Sequence, residues 1–310
     1  MTAADQIIVD DFIKKTKSEG LCINHVQIYR GDKLTATYDR LNRLRLPVYS
    51  ISKGFTSCAF GIAEREGLVR LDEKLVDIFP EYVPPRASEN LSEITLEHCL
   101  TMSAGQEGRL FMSDTPENRT IKDWIDYFFN SKFVHKPGTF WEYSNFNTYM
   151  VGCAIERRAG VNLLEYLRDR LFEPIGIGNP EWRMCPKGHV KAGGGLLLNI
   201  DELAAYGRLL LGFGRFADRQ IVPEDYMRRA SSFQIDNSSL MADDNRVYSG
   251  YGYGYQFLLD PKDDGYRSEG AYGQFAIAIP SKETVIAVMS LEGIQRRVGT
   301  LVFEMIVDRI

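Results

Sequence analysis

Two short runs bring together side chains that could perform acyl transfer. Ser50-Ile51-Ser52-Lys53 is the only place in the chain where a serine precedes a lysine by three positions. The run that follows, Gly54 to Ala63, reads as a helix, and positions i and i+3 share one helix face. Ser50 Oγ and the Lys53 amine therefore point into the same space. A serine hydroxyl is a poor nucleophile until a neighbouring group takes its proton, and an amine kept neutral by its surroundings can do so. The helix start adds unpaired N–H groups and a positive dipole end that favour developing negative charge. Tyr143-Ser144-Asn145 is the only Tyr-x-Asn in the chain. A phenol beside an ammonium ionises more readily, so Tyr143 could serve as base toward Ser50 and later as acid toward a leaving group. The Asn145 amide can pair with a substrate amide and with the lysine.

Either run alone is short enough to arise by chance, so the remaining sequence must narrow the chemistry. His25, His98, His135 and His189 are scattered, no His-Glu-x-x-His is present, and no Cys/His spacing suggests a metal site. A Gly-x-Ser-x-Gly elbow is also missing, which points away from a histidine-based triad. No metal and no organic cofactor is required for the expected reaction. The formal net charge of −5 offers nothing to a polyphosphate backbone, so a nucleic-acid partner is not expected. No stretch is long and apolar enough to span a membrane. The five dispersed cysteines and the absence of a basic-then-apolar start lead to an expectation of reduced thiols and a cytoplasmic setting.

The elements that must position these groups are legible in outline. Residues 4–18 read as a helix ending at Gly20, and Gly31-Asp32 separates two strand-like runs as a hairpin turn. Between about Leu68 and Arg229 apolar residues recur at helical steps, interrupted by Pro and Gly loops. Strands are expected again at 252–260, 274–280 and 284–291, and a final amphipathic helix over 293–310. This order predicts an α/β (α+β) fold in which distant segments build one antiparallel sheet, terminal helices cover one face, and a helical block packs on the other. The expected division is a discontinuous sheet subdomain (1–49 and 245–310) and a mainly helical subdomain (50–244), with the site in the cleft between them.

Ser50-x-x-Lys53 together with Tyr143-x-Asn145 resembles the serine β-lactamase and penicillin-binding-protein superfamily, in its class C-like branch of esterases, D-aminopeptidases and related amidases. The resemblance extends through Glu66–Val76, Ile94–Gly105, Leu171–Ile177 and Gly193–Leu203, and covers roughly residues 20 to 291. It implies a β-lactamase/transpeptidase-like fold and an acyl-enzyme on Ser50, with Lys53 and Tyr143 sharing base and acid duties. Its third element, normally Lys or His, then Thr or Ser, then Gly, is matched by Ser268-Glu269-Gly270. By the family pattern, the N–H groups of Ser50 and Ala271 would form the oxyanion hole, and Gly270 would admit close backbone approach. Ser268 and Glu269 depart from that pattern. A glutamate facing the cleft would repel an anionic β-lactam and favour neutral or cationic groups. Tyr272, Trp141 and Phe140 are candidates for an aromatic wall. The implied activity is hydrolysis of a small ester, amide or short peptide. A true β-lactamase and a non-catalytic peptide- or penicillin-binding member remain as alternatives.

Overall fold

The computed structural model describes residues 2–108, 120–239, 248–261 and 264–310, and the expected boundary at 244/245 lies outside them. Its centre is a six-stranded antiparallel sheet assembled from both ends of the chain. The strands are β1 (Ile23–Arg30), β2 (Lys33–Asp39), β3 (Leu258–Leu259), β4 (Tyr266–Gly270), β5 (Gln274–Ile279) and β6 (Thr284–Ser290). They lie in the order β2-β1-β6-β5-β4-β3. The β1–β2 turn closes at Gly31-Asp32, with Arg30 opposite Lys33, as the two-residue spacing predicts.

Side chains alternate between the two faces of this sheet. Val26, Ile28, Phe275, Ile277, Ile286 and Val288 face the terminal helices α1 (Ala3–Ser18) and α5 (Gln295–Met305). Helix α1 starts at Thr2, whose hydroxyl accepts the Asp5 N–H, and it buries Val9 and Phe12. Helix α5 answers with Val298, Leu301 and Val302. Each fully buried side chain of this kind contributes about 1.5–3 kcal/mol of transfer free energy, which holds both chain ends onto the sheet.

The opposite face carries Ala276, Ala278, Ala287 and Met289 and joins the larger core of the helical block. Small residues there let helix α4 (Ile200–Leu211) lie close against the sheet. The other two long helices of the block are α2 (Ser52–Arg65) and α3 (Asn145–Ala159). This architecture is the α/β fold expected from the sequence.

One strand is much shorter than its pattern predicts. Of residues 252–260 only Leu258–Leu259 joins the sheet. Gly252 and Gln256 adopt left-handed backbone conformations, and a Cβ at Gly254 would overlap the Ala230 carbonyl. The segment therefore folds against Ala230–Ile235, with Tyr253 pairing Ile235 through both backbone N–H groups.

Candidate active site

Ser50 sits in the 3₁₀ turn Tyr49–Ile51, which runs directly into α2. The turn is fixed from several directions. The Val48 N–H donates to the Leu196 carbonyl at 3.0 Å. The Ser52 hydroxyl donates to Tyr49 O at 2.6 Å and accepts from the Leu196 N–H at 3.3 Å. A Cβ at Gly270 would overlap the Val48 carbonyl, so glycine lets the end of β4 lie against the turn that carries the serine.

Lys53 is 1% exposed. Its Nζ lies 3.2 Å from Ser50 Oγ, 2.5 Å from Asn145 Oδ1 and 2.5 Å from the Gly193 carbonyl. It also lies 4.8 Å from the centre of the Tyr143 ring. Burial alone pulls the amine down to a pKa of about 7 from its ordinary 10.5. The donor count then defines the chemistry. A neutral amine has two N–H groups and one lone pair. Asn145 Oδ1 and Gly193 O can only accept, so they take the two N–H groups. As an ammonium, Nζ donates to all three oxygens, Ser50 Oγ included. Once it has lost a proton, the lone pair is left for Ser50 Oγ, the arrangement in which the hydroxyl donates to its base.

The sequence places Asn145 and Tyr143 through a helix cap. The Ser144 hydroxyl accepts the Phe146 N–H at 3.2 Å and starts α3, which makes Asn145 its first residue. Tyr143 precedes the cap and packs against Trp141, with ring centres 6.0 Å apart. The structure thus brings Ser50, Lys53, Tyr143 and Asn145 together.

The Gly193 carbonyl is the partner that sequence reasoning missed, although Gly193-Gly194-Gly195 signals a loop. Thr56, one turn beyond Ser52, donates to Ala192 O at 3.1 Å and holds this loop against α2. Tyr206 was missed too. Its buried hydroxyl pairs with Ser268 Oγ at 2.8 Å, and its ring stacks on Phe55 at 4.1 Å. Only the fold makes these residues neighbours.

Glu269 and Ser268 lie on opposite faces of the sheet. The strand register sets Glu269 opposite Phe275, while Ser268 lies opposite Ala276, and those two partners belong to opposite faces of the sheet. The Glu269 carboxylate accepts from Arg267 Nε at 3.2 Å. Arg267 is fully buried, pairs also with Asp260, and lies over the rings of Tyr248 and Phe303. The expected repulsion of anionic substrates by Glu269 therefore loses its basis. The reason is the two-residue period of a strand, which sends neighbouring side chains to opposite faces.

The expected aromatic wall is divided. Trp141 is buried and packs on Tyr253 at 5.7 Å. Phe140 is half exposed and stacks on His135 at 4.2 Å. Tyr272 stands apart from both and pairs with Tyr49 at 4.9 Å.

Among the described residues, Cys153, Glu156 and His189 offer three potential metal-ligand atoms within 4.8 Å of one another. Glu156 is already committed there. It accepts from the backbone N–H groups of Leu163 at 2.9 Å and Val190 at 3.0 Å, and lies 2.6 Å from His189 Nδ1. Burial also pushes the Cys153 thiol up, against the thiolate form a metal requires. The trio reads as a hydrogen-bonded brace between α3 and the 185–190 hairpin. All five cysteines are free thiols. No helix among the described residues is long and apolar enough to cross a membrane.

Comparison with known proteins bears on the family and the fold. A "Beta-lactamase" of Escherichia coli (strain K12) is 26% identical over 142 residues, which is 46% of this chain and 36% of that protein. The chain thus spans about a third of the length of that relative. Among solved structures, a putative 6-aminohexanoate-dimer hydrolase from Bacillus anthracis superposes with a TM-score of 0.78 at 17% identity, covering 95% of this chain and 80% of the other. EstCE1, described as a hydrolase with promiscuous acyltransferase activity, superposes with a TM-score of 0.80 at 15% identity, covering 98% and 100%. At such identities the two superpositions establish the fold. The Beta-lactamase family model matches residues 35–292, a span that takes in every residue of the site described above, and the chain belongs to the β-lactamase family.

Proposed function

We propose that this protein is a serine hydrolase that cleaves a small ester or amide through an acyl-enzyme on Ser50. The observation that carries the reading is a buried Lys53 amine, 3.2 Å from Ser50 Oγ, whose pKa burial lowers to about 7, so that a proton-free form is accessible near neutral pH. In this mechanism the Ser50 hydroxyl proton passes to Lys53 Nζ as Oγ bonds to the substrate carbonyl carbon. The carbonyl π electrons move to oxygen, where the N–H groups of Ser50 and Ala271 stabilise the oxyanion. The proton then goes to the leaving oxygen or nitrogen, with Tyr143 beside Lys53 as the relay, and the C–O or C–N bond breaks. Water repeats the sequence on the acyl-enzyme and frees Ser50 with a carboxylic acid.

A neutral substrate is favoured because Ser268, and not a cation, stands on the cleft-side face of β4. Its hydroxyl is paired with Tyr206. Asn145 and Gly270 complete the proposed substrate side, one beside the amine and the other at the strand end. The names carried by the two structural neighbours, a 6-aminohexanoate-dimer hydrolase and a hydrolase with promiscuous acyltransferase activity, support a hydrolase that works by acyl transfer.

The test is intact-protein mass spectrometry after a fluorophosphonate probe, with hydrolysis measured on p-nitrophenyl acetate, a D-alanine anilide and a chromogenic cephalosporin. A single adduct on Ser50, absent in Ser50→Ala, is expected, with ester turnover exceeding cephalosporin turnover. Labelling that persists in Ser50→Ala would remove the assignment.

A further inference from the structure

The pairing of Tyr49 with Tyr272 is a feature that neither motif contains. Tyr49 immediately precedes Ser50, and Tyr272 immediately follows Ala271, so each adjoins one of the two proposed oxyanion donors. Their ring centres are 4.9 Å apart at an interplanar angle of 41°, within the range of favourable aromatic pairs. Both residues hold left-handed backbone conformations, with φ of 49° and 64°. Bulky side chains rarely adopt this region, and such outliers cluster at ligand-binding sites.

Burial does not explain Tyr272, which is 44% exposed. Its backbone is nonetheless held in place. Its N–H donates to Gln295 Oε1 at 2.9 Å, and its carbonyl accepts the Glu292 N–H at 3.1 Å. The segment making those bonds adds two more exposed apolar side chains, Leu291 and Ile294. Exposed apolar side chains therefore lie along the segment bonded to Tyr272.

We infer that Tyr49 and Tyr272 form an aromatic lip that receives the acyl portion of the substrate, selecting esters or amides whose acyl group is aromatic or otherwise apolar. The inference rests on the serine-hydrolase reading above. A leaving group must face the acid that protonates it, so it lies toward Lys53 and Tyr143. The portion that stays on Ser50 is left to the tyrosine pair.

Two substrate series test this in the wild-type protein, Tyr272→Ala and Tyr272→Phe. In one series p-nitrophenyl phenylacetate is compared with p-nitrophenyl acetate, which changes only the acyl group. In the other, phenyl acetate is compared with methyl acetate, which changes only the alcohol. Fluorophosphonate labelling of Ser50 is read in parallel. The expected result is labelling in all three proteins and a kcat/KM preference for phenylacetyl over acetyl that falls about tenfold or more in Tyr272→Ala. Tyr272→Phe retains that preference because it keeps the ring. Ser50 labelling with an unchanged acyl preference, or a change confined to the alcohol series, overturns the lip and leaves the hydrolase reading intact. No labelling in the wild-type protein overturns the hydrolase reading, and the lip with it.

Discussion

Lys53 offers the most direct test of the proposed chemistry, because one buried amine sets both a pH–rate profile and a pH–stability profile. Its fall from 10.5 to about 7 corresponds to about 5 kcal/mol between the two protonation states, at about 1.4 kcal/mol per pKa unit. The sign follows from proton counting. Between pH 7 and 10.5 the unfolded chain keeps the lysine proton while the folded chain has released it. The unfolded state then binds more protons, and stability rises with pH. Over the accessible part of that window, pH 7 to 9, this group contributes a rise of about 2–3 kcal/mol. Lys53→Met removes the titrating amine and should lack this contribution. Denaturant melts of both proteins at half-unit pH steps isolate the effect as the difference between the two curves. In parallel, kcat/KM of the wild-type protein should climb about tenfold per pH unit below pH 7 and level off above it, since only the neutral amine accepts the Ser50 proton. A stability difference that stays flat from pH 7 to 9, or a rate that is flat from pH 5.5 to 8, would refute the neutral-amine argument.

Tyr143→Phe should lower kcat by about 10²–10⁴, the range for losing a positioned acid or base, while Ser50 still labels with fluorophosphonate. Gly54→Ala sets a Cβ over the Tyr206 hydroxyl and 2.5 Å from Ser268 Oγ. Overpacking of this kind costs about 1–3 kcal/mol, read as a lower melting midpoint. Adding Tyr206→Phe removes one of the two overlapping oxygens and should restore part of the loss; no recovery would count against the packing argument. Glu269→Gln weakens a buried ion pair and should lower stability by about 1–3 kcal/mol. The ratio of ester to penicillin turnover should not change, and a changed ratio would return Glu269 to the cleft.

The local chemistry was written in the sequence. Ser50 and Lys53 stand one helical turn apart, and Gly31-Asp32 closes the first hairpin. Each depends on interactions within a few residues, so spacing and residue type were sufficient. Strand alternation also carried a warning about Glu269, since Ser268 and Glu269 could not both face one cleft. Which of the two faced it depended on what covered each side of the sheet, and α1 and α5 come from the opposite ends of the chain. The same holds for the strand expected over 252–260, whose apolar pattern suited a sheet but whose backbone turned to meet Ala230–Ile235. Lys53 depended most on the tertiary structure. Its lowered pKa comes from burial, and the carbonyl beside it belongs to Gly193, 140 positions away in the chain. No local signal encodes that distance, because desolvation is a property of the assembled core.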